Sequence, residues 1–240
     1  MLTPVHCIAL RTVRLSDSKN LLSVWSREAG RLTFAVPAGS GREARRRRAI
    51  TAPLGTFEGV CDIRPDREIH SVRDVMPMAG SAAMNLSPVQ GLTSLFLAEV
   101  LDRLLSACSP EPGLNDYLFE SLELFPNLKG RAAANFHLLF LFGLTYFTGI
   151  APDLGEYAGG AVFDLRDGRF RTSAPVHGDC VDGDAARILV LMANTPYSKG
   201  GRLPLGREER NRTLDLILHY YSLHLAPLES IKSLEILRKL

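Results

Sequence analysis

Four consecutive arginines, Arg45, Arg46, Arg47 and Arg48, carry the strongest chemical signal in this 240-residue chain. They close the run Gly39-Ser-Gly-Arg-Glu-Ala-Arg-Arg-Arg-Arg48, to which Arg42 adds a fifth guanidinium. A guanidinium is never discharged in a protein and is very costly to bury unpaired, so this cluster must face solvent. There its summed field attracts a polyanion, and each planar fork can grip phosphate oxygens two at a time. The plainer reading is a solvated charge run with no ligand. The Gly-Ser-Gly lead-in predicts a mobile loop.

The distribution of charge favours the ligand. Residues 1–79 hold 13 Lys and Arg against 8 Asp and Glu, whereas the remainder holds 15 against 18. The formal net charge of +2 therefore hides a basic first third beside a mildly acidic remainder. Such asymmetry points to a nucleic-acid-binding part joined to one with other duties. Lys19, Arg11, Arg14 and Arg31 lie in the same third and are expected to extend the phosphate surface. No row of spaced aromatics and no recognition helix is evident, so contact with backbone rather than base identity is expected. Affinity should fall with salt as condensed counterions are released.

Other chemistry is weakly represented. His177-Gly-Asp-Cys180 is where His, Asp and Cys come together, the residue types of a metal pair or a Cys–His nucleophile. A zinc site wants four ligands and no second pair lies near, so a polar loop is the expectation. The other cysteines, Cys7, Cys61 and Cys108, are scattered and form no CxxC pair, as expected of reduced, mostly buried thiols in the cytoplasm. Neither GxxxxGK[ST] nor GxGxxG occurs, which removes the usual nucleotide-binding signatures. No catalytic residue, metal or cofactor is expected. His219 and His224 are five apart and do not share a helical face cleanly. Trp25 reads either as barrel core or as a base-stacking platform, with core the better fit.

Positioning elements follow from periodicity. No secretory leader is recognised at the N-terminus. Short β-rich runs at Val5–Val13, Leu21–Ser26, Leu32–Val36, Thr56–Ile63 and Ile69–Met76 predict a five-stranded barrel of the OB-fold type over residues 1–79. The arginine loop would join the third and fourth strands. From Ser87-Pro88, a cap followed by proline at the first helical position, the period becomes helical. Leu92, Leu95, Phe96, Val100, Leu101, Leu104 and Leu105 form one apolar stripe. Further helices are expected at Leu114–Leu124, Asp184–Ala193, Arg207–Leu225 and Ser230–Leu240. The apolar stretch Ala132–Ile150 is too interrupted by Asn135 and His137 for a bilayer and reads as a central buried helix. Within an irregular insertion at about 151–183, Asp167-Gly168 predicts a tight hairpin turn. The class is thus α+β, with a helical domain over 80–240.

These features, taken in order, resemble a known family. The pieces are Leu10-Arg-Thr-Val-Arg-Leu-Ser-Asp-Ser-Lys19, Val24-Trp-Ser-Arg-Glu-Ala-Gly-Arg-Leu32, the basic run before Pro53-Leu54 and Ile63-Arg-Pro-Asp-Arg-Glu-Ile69. Phe163-Asp-Leu-Arg-Asp-Gly-Arg-Phe170, His219-Tyr-Tyr-Ser-Leu-His-Leu225 and Ile231-Lys-Ser-Leu-Glu-Ile-Leu237 complete the set. End to end, the chain resembles the RecO family of bacterial recombination and repair proteins, in its Bacteroidetes-type form. The resemblance implies an OB domain, a helical domain and a small inserted module that carries zinc in some members. It also implies binding of single- and double-stranded DNA, strand annealing, and action with RecR to load RecA onto strands coated by single-strand-binding protein (SSB). A cytoplasmic, nucleoid-associated protein without membrane contact is implied. Cys180 alone does not make the four-cysteine cluster of zinc-bearing members. Lys129, Arg131 and Lys232 are candidates for the basic rim of an SSB-tail pocket. Two rivals remain: an adaptor gripping an acidic protein partner through the same basic run, and a metal-assisted hydrolase at His177 and Cys180.

Overall fold

The computed structural model describes residues 2–64, 66–81, 86–155, 157–228 and 231–239, with residue 107 as backbone only. The chain forms two units, Met1–Asn127 with Ile231–Lys239, and Leu128–Ser230. The first unit extends past residue 79 because the first two long helices group with the sheet.

Among the described residues, six strands build the sheet of the first unit. They are β1 (Leu2–Arg14), β2 (Lys19–Ser26), β3 (Gly30–Pro37), β4 (Thr56–Asp62), β5 (Ile69–His70) and β6 (Val72–Pro77), in the order β5-β3-β2-β1-β4-β6. Only Ser71 separates β5 from β6. That one segment pairs parallel with β3 and then antiparallel with β4, so it bonds to both edges and curls the sheet into the OB-type barrel. The expected fifth strand is therefore present but divided where it changes partner. Gly59 permits the close approach of β4 and β6, since a Cβ there would sit 2.7 Å from Val72 Cγ2 and 3.0 Å from the Arg73 carbonyl.

β3 alternates as a half-buried strand should, with Leu32, Phe34 and Val36 inward. β1 does not alternate: Cys7, Ile8, Ala9 and Leu10 are all buried. Val5, Cys7 and Ala9 join the barrel core, while helix α2 (Pro88–Leu104) packs against the same strand from outside. The pairing register of β1 slips between Ala9 and Arg11, a bulge that keeps Leu10 covered and releases Arg11 to solvent. Trp25 is fully buried and its indole N–H donates to Asn115 Oδ1 at 2.9 Å, on helix α3 (Pro112–Leu124). It is core, not a stacking platform.

The start of α2 is the one expected: Ser87 and Gln90 form a reciprocal capping box with Pro88 in the first turn. Ile231–Lys239 returns to this unit and ends in the short helix α7 (Leu234–Leu237). The longer helix expected at Ser230–Leu240 is not formed, and its two end residues lie outside the described set. Glu99 of α2 anchors this return, accepting from the Lys232 N–H (2.9 Å), the Ser233 N–H (3.0 Å) and Ser233 Oγ (2.7 Å).

The second unit is built on α4 (Gly130–Leu144), which buries Phe136, Leu138, Phe140, Leu141 and Leu144 completely. Asn135 inside it donates to the Gly200 and Leu203 carbonyls at 2.9 and 3.0 Å, pinning a 3₁₀ segment (Tyr197–Arg202) against the helix. No helix among the described residues is long and apolar enough to cross a membrane. The hairpin at Asp167-Gly168 is present as β7 (Val162–Asp164) and β8 (Arg169–Arg171), and β9 (Cys180–Val181) makes it three-stranded. Gly168 has φ +67°, and a Cβ there would meet the Tyr220 hydroxyl at 2.7 Å. Helices α5 (Gly183–Ala193) and α6 (Arg207–His224) complete the unit.

Candidate nucleic-acid interface

The arginine run is a helix, not a loop. Arg42–Ile50 forms α1, N-capped by Gly41 and closed at Thr51, whose Oγ1 donates to the Arg47 carbonyl at 2.9 Å. Arg, Glu and Ala are good helix formers, Glu43 lies at the positive end of the helix dipole, and Arg47 and Arg48 at its negative end. Sheet order supplies the larger reason. β3 and β4 are separated by β2 and β1, so their connection must cross the barrel, and a helix satisfies its own backbone on the way. Ile50, 3% exposed, anchors it in the barrel core.

Helical winding makes the arginines unequal. Arg42, Arg45 and Arg46 share one face by their three- and four-residue spacing, and all three are exposed. Arg42 and Arg45 have no side-chain partner among the described residues. Arg46 directs Nη2 to Met76 Sδ at 3.0 Å, and Arg48 donates to the Gly39 carbonyl. Arg47 is the least exposed, its side chain at 24%, and lies 3.9 Å from Glu43. A single carboxylate thus faces five guanidiniums, leaving a strongly positive ridge. Beside it runs a groove of about 380 Å³ between α1 and β6, where Arg73 adds another cation and Asp74 another carboxylate.

The other expected contacts divide. Lys19 pairs in register with Pro37, and the Ala38 N–H donates to the Ser18 carbonyl, so the β1–β2 hairpin sits where the chain enters α1. Arg14 is at that hairpin, exposed and ion-paired to Asp17. Arg11 lies toward the other end, sharing a cleft with Thr51. Arg31 does not join them. Its guanidinium holds α2 through the Asp102 carboxylate (2.7 Å) and carbonyl (2.8 Å). Arg27 is similarly engaged by Asp116 at 2.7 Å and lies over the Phe119 ring. Sequence distance hid both pairings.

Comparison with known proteins places this geometry in a family. The family model described as "Recombination protein O C terminal" matches residues 92–235. The chain belongs to the RecO family. It is 30% identical over 245 residues to the DNA repair protein RecO of Porphyromonas gingivalis strain W83, covering 100% of this chain and 99% of that one. The DNA repair proteins RecO of Phocaeicola vulgatus and Bacteroides fragilis are each 29% identical, again over 100% of this chain and 99% of theirs.

In this member of the family the small sheet is held by ion pairs. Asp164, 1% exposed, accepts from Arg171 Nε at 2.9 Å and from the Arg166 N–H at 3.0 Å, with His177 Nε2 at 3.4 Å. Asp179 accepts from Arg166 Nε at 2.6 Å and pairs with His219 Nε2 at 3.0 Å. Those hydrogen bonds, that of His219 foremost, hold the Asp179 carboxyl below the usual carboxylate range. His177 is thus held among these carboxylates, Cys180 is a free thiol on β9, and among the described residues no group of three or more His, Cys, Asp or Glu could hold a metal ion. Lys129 and Arg131 flank the start of α4 in the second unit, while Lys232 belongs to the first.

Proposed function

We propose that this RecO-family protein is a non-enzymatic mediator of recombinational repair that binds single- and double-stranded DNA through α1 and anneals complementary strands. One observation carries the reading: an exposed helix presents five arginines against one glutamate, with Arg42 and Arg45 unpaired among the described residues. Arg45, Arg46, Arg48 and Arg42 would hold phosphates, Lys19, Arg11 and Arg14 would extend the track, and Arg47 would contribute least. Shielding two negatively charged strands lowers their repulsion and lets bases meet. Because guanidiniums address phosphate, pairing of the strands themselves would supply sequence fidelity. Family membership supports partnership with RecR, and RecA loading on strands covered by SSB. For an acidic SSB tail, Lys129 and Arg131 are the proposed rim, adjacent on one helix start.

The test is an annealing assay with complementary oligonucleotides, bare and SSB-coated, at two salt concentrations. Wild type should accelerate annealing at low salt and lose that effect at high salt. The variant with Arg42, Arg45, Arg46 and Arg48 all changed to alanine should not accelerate it at either. Equal acceleration by both proteins would exclude α1 as the DNA surface.

A further inference from the structure

The first unit contains a second feature that α1 does not account for. Between β1, the exit of α1, α2 and the returning C-terminal segment lies a cleft of about 550 Å³, within the size range of small-ligand sites. Its apolar walls are Leu10, Pro53, Leu95 and Ile236, and two of them are unusually open: Leu95 is 41% exposed and Ile236 45%. Its rim carries Arg11, Arg103 and Lys232, with Glu99 and Asp102 beneath. Both acids are already engaged, Glu99 by the Lys232 and Ser233 N–H groups and Asp102 by Arg31. Arg11 and Lys232 have no side-chain partner among the described residues. The opening therefore favours an anion attached to something flat or apolar.

We propose that this cleft receives one unstacked base of a bound single strand, the base against Leu10, Pro53, Leu95 and Ile236 and its phosphate on Arg11 and Lys232. The inference rests on DNA binding by α1 and deepens it. Continuity decides between a nucleotide and an acidic peptide: Thr51, the closing residue of α1, and Pro53 form part of the cleft wall. Arg48 lies three residues before Thr51, less than one helical turn away. A strand that leaves α1 at Arg48 would need to pass only the last turn of the helix to reach the opening. Every base has an apolar π-face that the aliphatic walls accept alike, so the pocket is tolerant of sequence. Withdrawing a base from its neighbours would also interrupt stacking in the strand and present the adjoining nucleotides for pairing.

The experiment uses the full chain and a short oligothymidylate carrying one central 2-aminopurine, whose emission rises when it leaves the stack. Anisotropy of the same oligonucleotide reports binding overall. Wild type should raise both signals. A Leu95→Gln/Ile236→Gln variant removes the apolar walls without changing charge, at positions open enough to spare the fold. It should lose at least half the 2-aminopurine rise while anisotropy affinity drops less than about threefold, under 0.7 kcal/mol. An identical 2-aminopurine response in the two proteins overturns the assignment. So does intact anisotropy binding with no response in wild type. In that second case, binding of a labelled acidic peptide with an apolar C-terminus that the double variant loses would give the cleft to a peptide. No anisotropy change in wild type at low salt would overturn both this inference and DNA binding by α1.

Discussion

Two arginine-bearing places, α1 and the small sheet, are opposites. In α1 five arginines meet one carboxylate, whereas around the small sheet Arg166 and Arg171 are matched by Asp164, Asp167 and Asp179. The first place leaves charge exposed to solvent. The second neutralises it in holding together strands too short to stand alone, of three, three and two residues. Arginine content therefore says little about function, and the supply of carboxylates within reach says much. Arg31 makes the same point inside the basic third: counted with the phosphate surface by charge alone, it is a strut to Asp102.

The largest effect is expected from Asp164→Ala, which takes from Arg171 one of its two carboxylate partners and leaves the Arg166 and Asp167 N–H groups without their acceptor at a buried position. Urea unfolding should show a loss of about 3 kcal/mol, with the salt dependence of DNA binding unchanged. A change in salt dependence would mean that the small sheet also meets DNA. Next comes pH. Burial, aided by the Arg210 charge, pushes the His137 imidazole of α4 down to about 3. The folded unit keeps it neutral, while the unfolded chain takes up a proton below its ordinary value of 6.5. The unfolded state thus binds more protons in that window. Stability should fall as pH drops below 6.5, by up to about 1.4 kcal/mol per pH unit. His137→Leu should flatten that slope. Arginine is the permanently charged side chain of proteins, so the electrostatic part of DNA binding by α1 should hold wherever the protein remains folded. The smallest effect belongs to Glu43→Gln. Removing the one acid of α1 should tighten single-strand binding about twofold, roughly 0.4 kcal/mol, read by anisotropy at low salt.

Much of the fold was legible because local signals and tertiary demands agree. The alternation in Leu32–Val36, the Ser87-Pro88 cap and the Asp167-Gly168 turn each predicted the element found. The helix α1 is hidden in the sequence because Gly39-Ser-Gly41 and a charge run both suggest loop. The contrary signal is present: residues 42–50 contain neither glycine nor proline, and the barrel topology requires a crossing there. Burial on both faces of β1 follows from α2 packing outside the barrel, a contact no single strand announces. Leu95 reads as one more member of an apolar stripe. Its exposure, like the pairing of Arg31 with a residue 71 positions away, exists only once the chain is folded.

In the proposed function the exposed guanidiniums of α1 hold nucleic-acid backbone. The most direct measurement is the dependence of log Kd on log salt for an oligothymidylate, with wild type and with Arg42, Arg45, Arg46 and Arg48 all changed to alanine. Each lost contact should lower the slope by about 0.7, so the two lines should differ by up to about 2.8, while Arg47→Ala alone shifts it least. Parallel lines for wild type and the quadruple variant would contradict the account.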